Sequence, residues 1–158
     1  MILVPGLSGQ NDNLYTVSVW RKATKLGYNC CTVIFRGCAG LPLKTAKLSY
    51  PSNFKDMKDA VDYVYNKYIK DPKTGKKKQK LLAYGVSLGS MFLSNYLVRC
   101  GDKVPLDACV LYGIGWHPVE DLEYFNHNFF GLYNRGLIYP TKLVYKTTIM
   151  PQLKNLLD

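Results

Sequence analysis

Histidine and long apolar runs are what this chain has least of, and both scarcities narrow its chemistry. No run of about 18 apolar residues occurs, so the sequence predicts no transmembrane helix. Met1-Ile2-Leu3-Val4 runs at once into Pro5-Gly6, too short for the apolar region of a secretory signal. The five cysteines (Cys30, Cys31, Cys38, Cys100, Cys109) are odd in number and show no C-x-x-C spacing. That argues against a zinc site or disulfide framework and for reduced, mostly buried thiols in an intracellular protein. No metal and no cofactor is expected. His117 and His127 are the only two histidines. Acidic residues are scarce as well, 11 against 21 Lys and Arg, for a net charge of +10. Such an excess invites a nucleic-acid or anionic-membrane partner. Yet Lys73, Lys76, Lys77, Lys78 and Lys80 crowd into one polar segment, 71–80, with no aromatic residue between them to stack on bases. The segment reads as a solvated loop, with attraction to anionic lipid headgroups as the alternative; no nucleic-acid partner is expected.

What is present is an ordinary globular balance, 47% apolar and 20% charged, over a length that suits one core. The chain is organised around Leu81-Leu82-Ala83-Tyr84-Gly85-Val86-Ser87-Leu88-Gly89-Ser90. A short apolar run passes through Gly-x-Ser-x-Gly into a second run, 91–98, with helical spacing, closed by Gly101. Strand before and helix after is the context of a nucleophile elbow, which presents a serine at the tip of a strained turn. Ser87 is predicted at positive φ, and Gly85 and Gly89 remove side chains that would collide there.

Taken in order, residues 1–4, 29–35, 81–84 and 108–114 read as strands. The first and fourth read as buried strands, and the second, apolar on both faces, as a strand of a parallel sheet covered on each side. A first helix, capped by Asn11 or Asp12 after the loop Pro5-Gly6-Leu7-Ser8-Gly9-Gln10, is predicted to carry Leu14, Val17, Trp20 and Ala23, with Lys25-Leu26 at its end before Gly27. A second starts at a capping-box-like Asn53 and Asp56 and sets Phe54, Met57, Val61, Val64 and Tyr68 on its core face. The resulting β-α-β-α-β-α-β order implies an α/β fold with a parallel sheet and right-handed crossovers. From Trp116 the texture becomes aromatic and mixed with Asn, Arg and Lys, and reads as helical. The expected division is a core over 1–115 and a cap over 116–158, with no internal repeat.

Several motifs in the same order carry a family resemblance: Leu3-Val4-Pro5-Gly6-Leu7-Ser8-Gly9, Gly27-Tyr28, Phe35-Arg36-Gly37-Cys38-Ala39-Gly40, Gly85-Val86-Ser87-Leu88-Gly89-Ser90-Met91 and Gly113-Ile114-Gly115-Trp116. The chain resembles the α/β-hydrolase superfamily, in its YheT-like branch, and most the abhydrolase domain-containing 1 and 3 group. The resemblance implies a partial α/β-hydrolase fold whose four strands match the family's third to sixth, side by side as 4-3-5-6. Flanking helices and the start of a helical cap over the sheet complete it. Members look like membrane-associated serine hydrolases of glycerophospholipids and other esters, and some relatives transfer acyl groups to alcohols. Ser87 matches the nucleophile, Leu88 N–H one oxyanion donor, and Leu7 the loop that supplies the other; Arg36 matches a loop near the site without assigned chemistry.

The expected function is therefore a serine ester hydrolase, esterase, lipase or phospholipase-like, acting through an acyl-enzyme on Ser87. In the family the acid and the histidine follow the seventh and eighth strands, which this sequence does not contain, so the chain alone is expected to be catalytically incomplete. His117 is disfavoured as the base, His127 reads as a packing or surface residue, and Glu120, Asp121 and Glu123 as first-turn helix charges. Strands 29–35 and 108–114 are expected as open apolar edges, prone to pairing. Three readings follow: a fragment of a larger hydrolase, half of a split enzyme, or a non-catalytic subunit whose edges a partner chain covers. The basic loop is expected at the end of the sheet opposite the site. The aromatic segment suits acyl chains and ordinary lid packing equally.

Overall fold

In the computed structural model, which describes residues 1–7 and 13–157, β1 (Ile2–Val4) is buried on every residue. It is an interior strand of a parallel sheet ordered β2-β1-β3-β4, with β2 at Cys31–Thr32, β3 at Leu82–Val86 and β4 at Ala108–Tyr112. That is the order and direction expected. The chain divides into two units, Met1–Ile34 with Ser49–Ile114, and Phe35–Leu48 with Gly115–Asp158.

The two outer strands depart from expectation. Instead of spanning 29–35, β2 keeps two residues, although Val33 N–H still donates to Leu3 O at 2.9 Å. Its neighbour is itself only three residues long and runs into Pro5, which has no N–H to offer. Residues 31–34 are half-buried, not buried. Along β4, Ala108, Val110 and Tyr112 are exposed while Cys109 and Leu111 are half-buried. An outer strand has a neighbour on one side only, and α3 (Leu88–Cys100) packs against one face of it, so its apolar composition did not imply burial.

In α1 (Leu14–Lys25) Ala23 of the expected stripe is buried, joined by Thr16 from outside it, while Val17 is half-buried. Leu14 is 87% exposed and Leu26 75%. Trp20 stays at the rim, where its indole Nε1–H donates to Thr32 Oγ1 at 3.2 Å, a position that suits an amphipathic ring and turns the helix accordingly. Asn13 occupies the N-cap position; the candidate caps Asn11 and Asp12, and Ser8-Gly9-Gln10, lie outside the described residues.

In α2 (Phe54–Val64), Asn53 does cap, its Oδ1 accepting Lys55 N–H at 3.2 Å, while Asp56 accepts the Ser49 hydroxyl at 3.1 Å. Met57 and Val61 are buried as predicted, but Ile69 takes the place foreseen for Tyr68, which is exposed. The cause is a π-turn over Tyr65–Ile69, closed by Lys70 N–H to Tyr65 O at 2.8 Å. One extra residue in that turn advances the core face by one position. Phe92, Leu93 and Tyr96 of α3 complete this core with Leu81 and Ala83.

The lysine segment is a closed hairpin as well as a solvated one. Asp71 Oδ1 accepts the N–H groups of Lys73 and Thr74, and Lys78 N–H returns to Ile69 O. Lys77 pairs with Asp107 at 2.8 Å, and the same carboxylate accepts Leu81 N–H at 2.7 Å. Lys77 first, then the Leu81 amide, hold the Asp107 carboxyl below its ordinary range. Its contribution to stability is complete above that range and is lost as pH falls through the lowered value. The anchor sits where β3 and β4 begin, at the end of the sheet opposite Ser87.

The second unit holds α4 (Pro118–His127), α5 (Leu132–Val144) and α6 (Met150–Leu157). Phe129, Phe130 and Gly131 are consecutively left-handed and kink the chain between the first two. Ile149 is buried against Leu43 and Gly37; a Cβ on Gly37, whose φ is +71°, would lie 2.7 Å from Ile149 Cδ1. Leu43 N–H donates to Gln152 Oε1 at 2.7 Å. Glu120 and Asp121 stand in the first turn of α4, while Glu123 falls one turn later. Among the described residues no helix is long and apolar enough to cross a membrane. All five cysteines are free thiols, half-buried instead of mostly buried, because they lie on outer strands (Cys31, Cys109), on loops (Cys30, Cys38) or at a helix end (Cys100).

Candidate active site

Ser87 is the residue between β3 and α3, with φ 51° and ψ −118°, and it is exposed. Positive φ at a residue with a Cβ costs on the order of 1 kcal/mol or more, so the surroundings must hold it there. They do so through one carbonyl. Tyr112 O, at the end of β4, accepts Ser87 N–H at 2.8 Å and the buried Ser90 hydroxyl at 3.0 Å. Ser87 O in turn accepts Ser90 N–H at 2.9 Å and opens the helix. The elbow is thus pinned to the neighbouring strand, not only to itself.

The glycines act on different neighbours. A Cβ on Gly85 would lie 2.9 Å from Ser90 Cα and N, so this glycine lets the helix fold back onto its own strand. A Cβ on Gly89 would penetrate the carbonyl oxygens of Val4 and Pro5, so this one lets α3 approach the end of β1. That second contact brings the Pro5-Gly6-Leu7 loop beside the elbow. A Cβ on Gly6 would sit 3.3 Å from Ser87 Cβ. Leu7 is exposed and Leu88, the first residue of α3, half-buried.

Two residues near the elbow have no role assigned from sequence. Ser90 stands in the motif, but nothing in its spacing marks it as a tie to β4. Tyr15 carries no signal either, being one of 13 tyrosines, yet its hydroxyl accepts Gly6 N–H at 3.0 Å. Beneath it, Thr16 Oγ1 is buried with no hydrogen-bond partner among the described residues. It borders a small, partly open cavity of about 10 Å³ lined also by Leu3, Val4, Pro5, Tyr15, Val19, Tyr84 and Val86. That space scarcely admits one water. Thr16→Val keeps the shape and removes the unpaired hydroxyl; it is expected to raise stability by about 1 kcal/mol in urea unfolding of the chain.

His117 and His127 belong to the second unit. His117 is exposed at the N-cap of α4, and His127 is an exposed surface residue whose Nδ1 lies 2.8 Å from Glu123 O. Burial raises the thiol pKa of Cys30, Cys31 and Cys38, and pushes that of Cys109 up to about 11. These thiols stay protonated at neutral pH and are poor nucleophiles beside Ser87. Among the described residues no three His, Cys, Asp or Glu side chains gather as a metal site.

A parallel sheet whose strand turns sharply through a serine into a helix belongs to the α/β-hydrolases, and the chain is a partial member of that fold. Its curated relatives make it ABHD3-like. It is 33% identical to human phospholipase ABHD3 over 117 residues, which is 74% of this chain and 27% of that protein. It is 26% identical to Caenorhabditis elegans protein abhd-3.2 over 120 residues, 75% of this chain and 30% of that one. Against the Picea glauca embryogenesis-associated protein EMB8 the figures are 30% over 110 residues, 70% and 22%. The chain therefore spans about a quarter of the length of these relatives. No family model and no solved structure matches it.

Proposed function

We propose that this chain carries the nucleophile and oxyanion portion of a serine ester hydrolase whose substrates are phospholipid-like esters. The observation that carries the reading is Ser87, held exposed at φ 51° between β3 and α3 with the Pro5-Gly6-Leu7 loop alongside. The relatives named phospholipase support the substrate class. In this reading Ser87 Oγ attacks the ester carbonyl carbon and gives up its proton to a base. The carbonyl oxygen becomes an oxyanion received by the amides of Leu88 and Leu7. Collapse breaks the ester C–O bond, the alcohol leaves with the proton, and water releases the acyl group from Ser87. An alcohol in place of that water would make the reaction acyl transfer. The base is assigned to neither His117 nor His127.

A second reading draws on β4, whose Val110 and Tyr112 are 51% and 64% exposed on an outer strand: a non-catalytic subunit with that strand covered by a partner chain. A fluorophosphonate probe separates the two. Covalent labelling mapped to Ser87 in the folded chain, slow because neither histidine is assigned as its base, is the expected result. A folded chain that takes no label supports the subunit.

A further inference from the structure

The Pro5-Gly6-Leu7 loop has one polar tie that neither the sheet nor the elbow provides. Gly6 is buried, so its N–H needs a partner within the protein, and among the described residues no strand pairs with it to supply one. The partner is a side chain from the next element: Tyr15, in the first turn of α1, accepts that hydrogen at 3.0 Å. The same face of Gly6 meets the reacting serine. A Cβ built on Gly6 would lie 3.3 Å from Ser87 Cβ and 3.6 Å from Tyr15 Oη, so hydroxyl and nucleophile flank one glycine.

We propose that Tyr15 is a positioning residue for the oxyanion loop, holding the Gly6 amide so that the Leu7 peptide keeps its aim toward Ser87. The inference rests on Ser87 being the nucleophile. A glycine with no side chain to pack rotates freely about both torsions, and Pro5 before it can accept hydrogen bonds but donate none. With the Gly6 amide fixed, fewer torsions separate the sheet from the Leu7 N–H. Donors of this kind act only when aimed at the place where negative charge develops, and a small misplacement is costly in rate.

The test is Tyr15→Phe, which keeps the ring and removes the acceptor. Labelling by a fluorophosphonate is followed against probe concentration on the full chain. A positioning role predicts that the maximal labelling rate falls about tenfold, below the 10²–10³ of losing a donor outright, with the half-saturating concentration unchanged. A purely structural role would move the urea midpoint or the half-saturation instead. Equal maximal rates in the two proteins, or a loss confined to half-saturation, overturn the proposal. Amide hydrogen exchange of the unsubstituted chain gives a second readout independent of the variant. The Gly6 N–H should be protected, and exchange at the rate of a free peptide would overturn the proposal too. If the unsubstituted chain takes no label at all, the nucleophile reading fails and this inference with it, whatever Gly6 does.

Discussion

Ser87→Ala is expected to reduce fluorophosphonate labelling of the chain below detection while leaving its urea midpoint where it was. Removing the nucleophile of a serine hydrolase costs on the order of a millionfold in rate, since no other atom can form the acyl-enzyme bond. Alanine has the same Cβ as serine, so the left-handed backbone at 87 is as strained in the variant as in the parent. Ser87→Gly separates the two effects. It too takes no label, but it relaxes the φ of 51° and should gain about 1 kcal/mol in urea unfolding. A protein that becomes more stable when its serine is removed is one that holds the serine there against a cost. Undiminished labelling of Ser87→Ala would place the reacting group elsewhere, and an unchanged midpoint for Ser87→Gly would show that the elbow stores no strain.

Gly89→Ala is expected to be the most damaging single methyl in the chain. The added Cβ would meet the carbonyl oxygens of Val4 and Pro5, both backbone atoms at the end of the most buried strand. Neither can swing aside like a side chain, so α3 must lift away from β1 or β1 must bend. Overpacking a well-filled interior costs about 1–3 kcal/mol when side chains can yield, and the upper end or beyond is expected where backbone must move. The displaced carbonyls belong to the two residues before Gly6, so labelling should fall with stability and not merely follow it. Gly136, inside α5 with open space where a Cβ would go, is the control: alanine there should stabilise by about 0.5–1 kcal/mol. If Gly89→Ala proves as benign as Gly136→Ala, the close approach of α3 to β1 is wrong.

Much of the elbow could be read from residue order because its physics is local. A strand that must turn within one residue into a helix needs positive φ at that residue and small neighbours, and Gly85, Ser87 and Gly89 spell this out in five positions. The parallel order of the sheet was legible for a similar reason, as crossover helices allow few alternatives. Local order could not reveal which way each element faces. The π-turn at Tyr65–Ile69 moved burial from Tyr68 to Ile69, and in α1 Thr16 is buried while Leu14 meets solvent. The first shift is of a single residue, below what a periodicity of apolar positions can resolve.

Residue order alone determined that a serine stands at a strained strand-to-helix junction, because that strain is set by backbone torsions within a few residues. Only the folded chain decided what holds the junction in place. Tyr112 O and the Val4 and Pro5 carbonyls come from other segments, and hydrogen bonds and close contacts between distant segments depend on distances that no local pattern encodes.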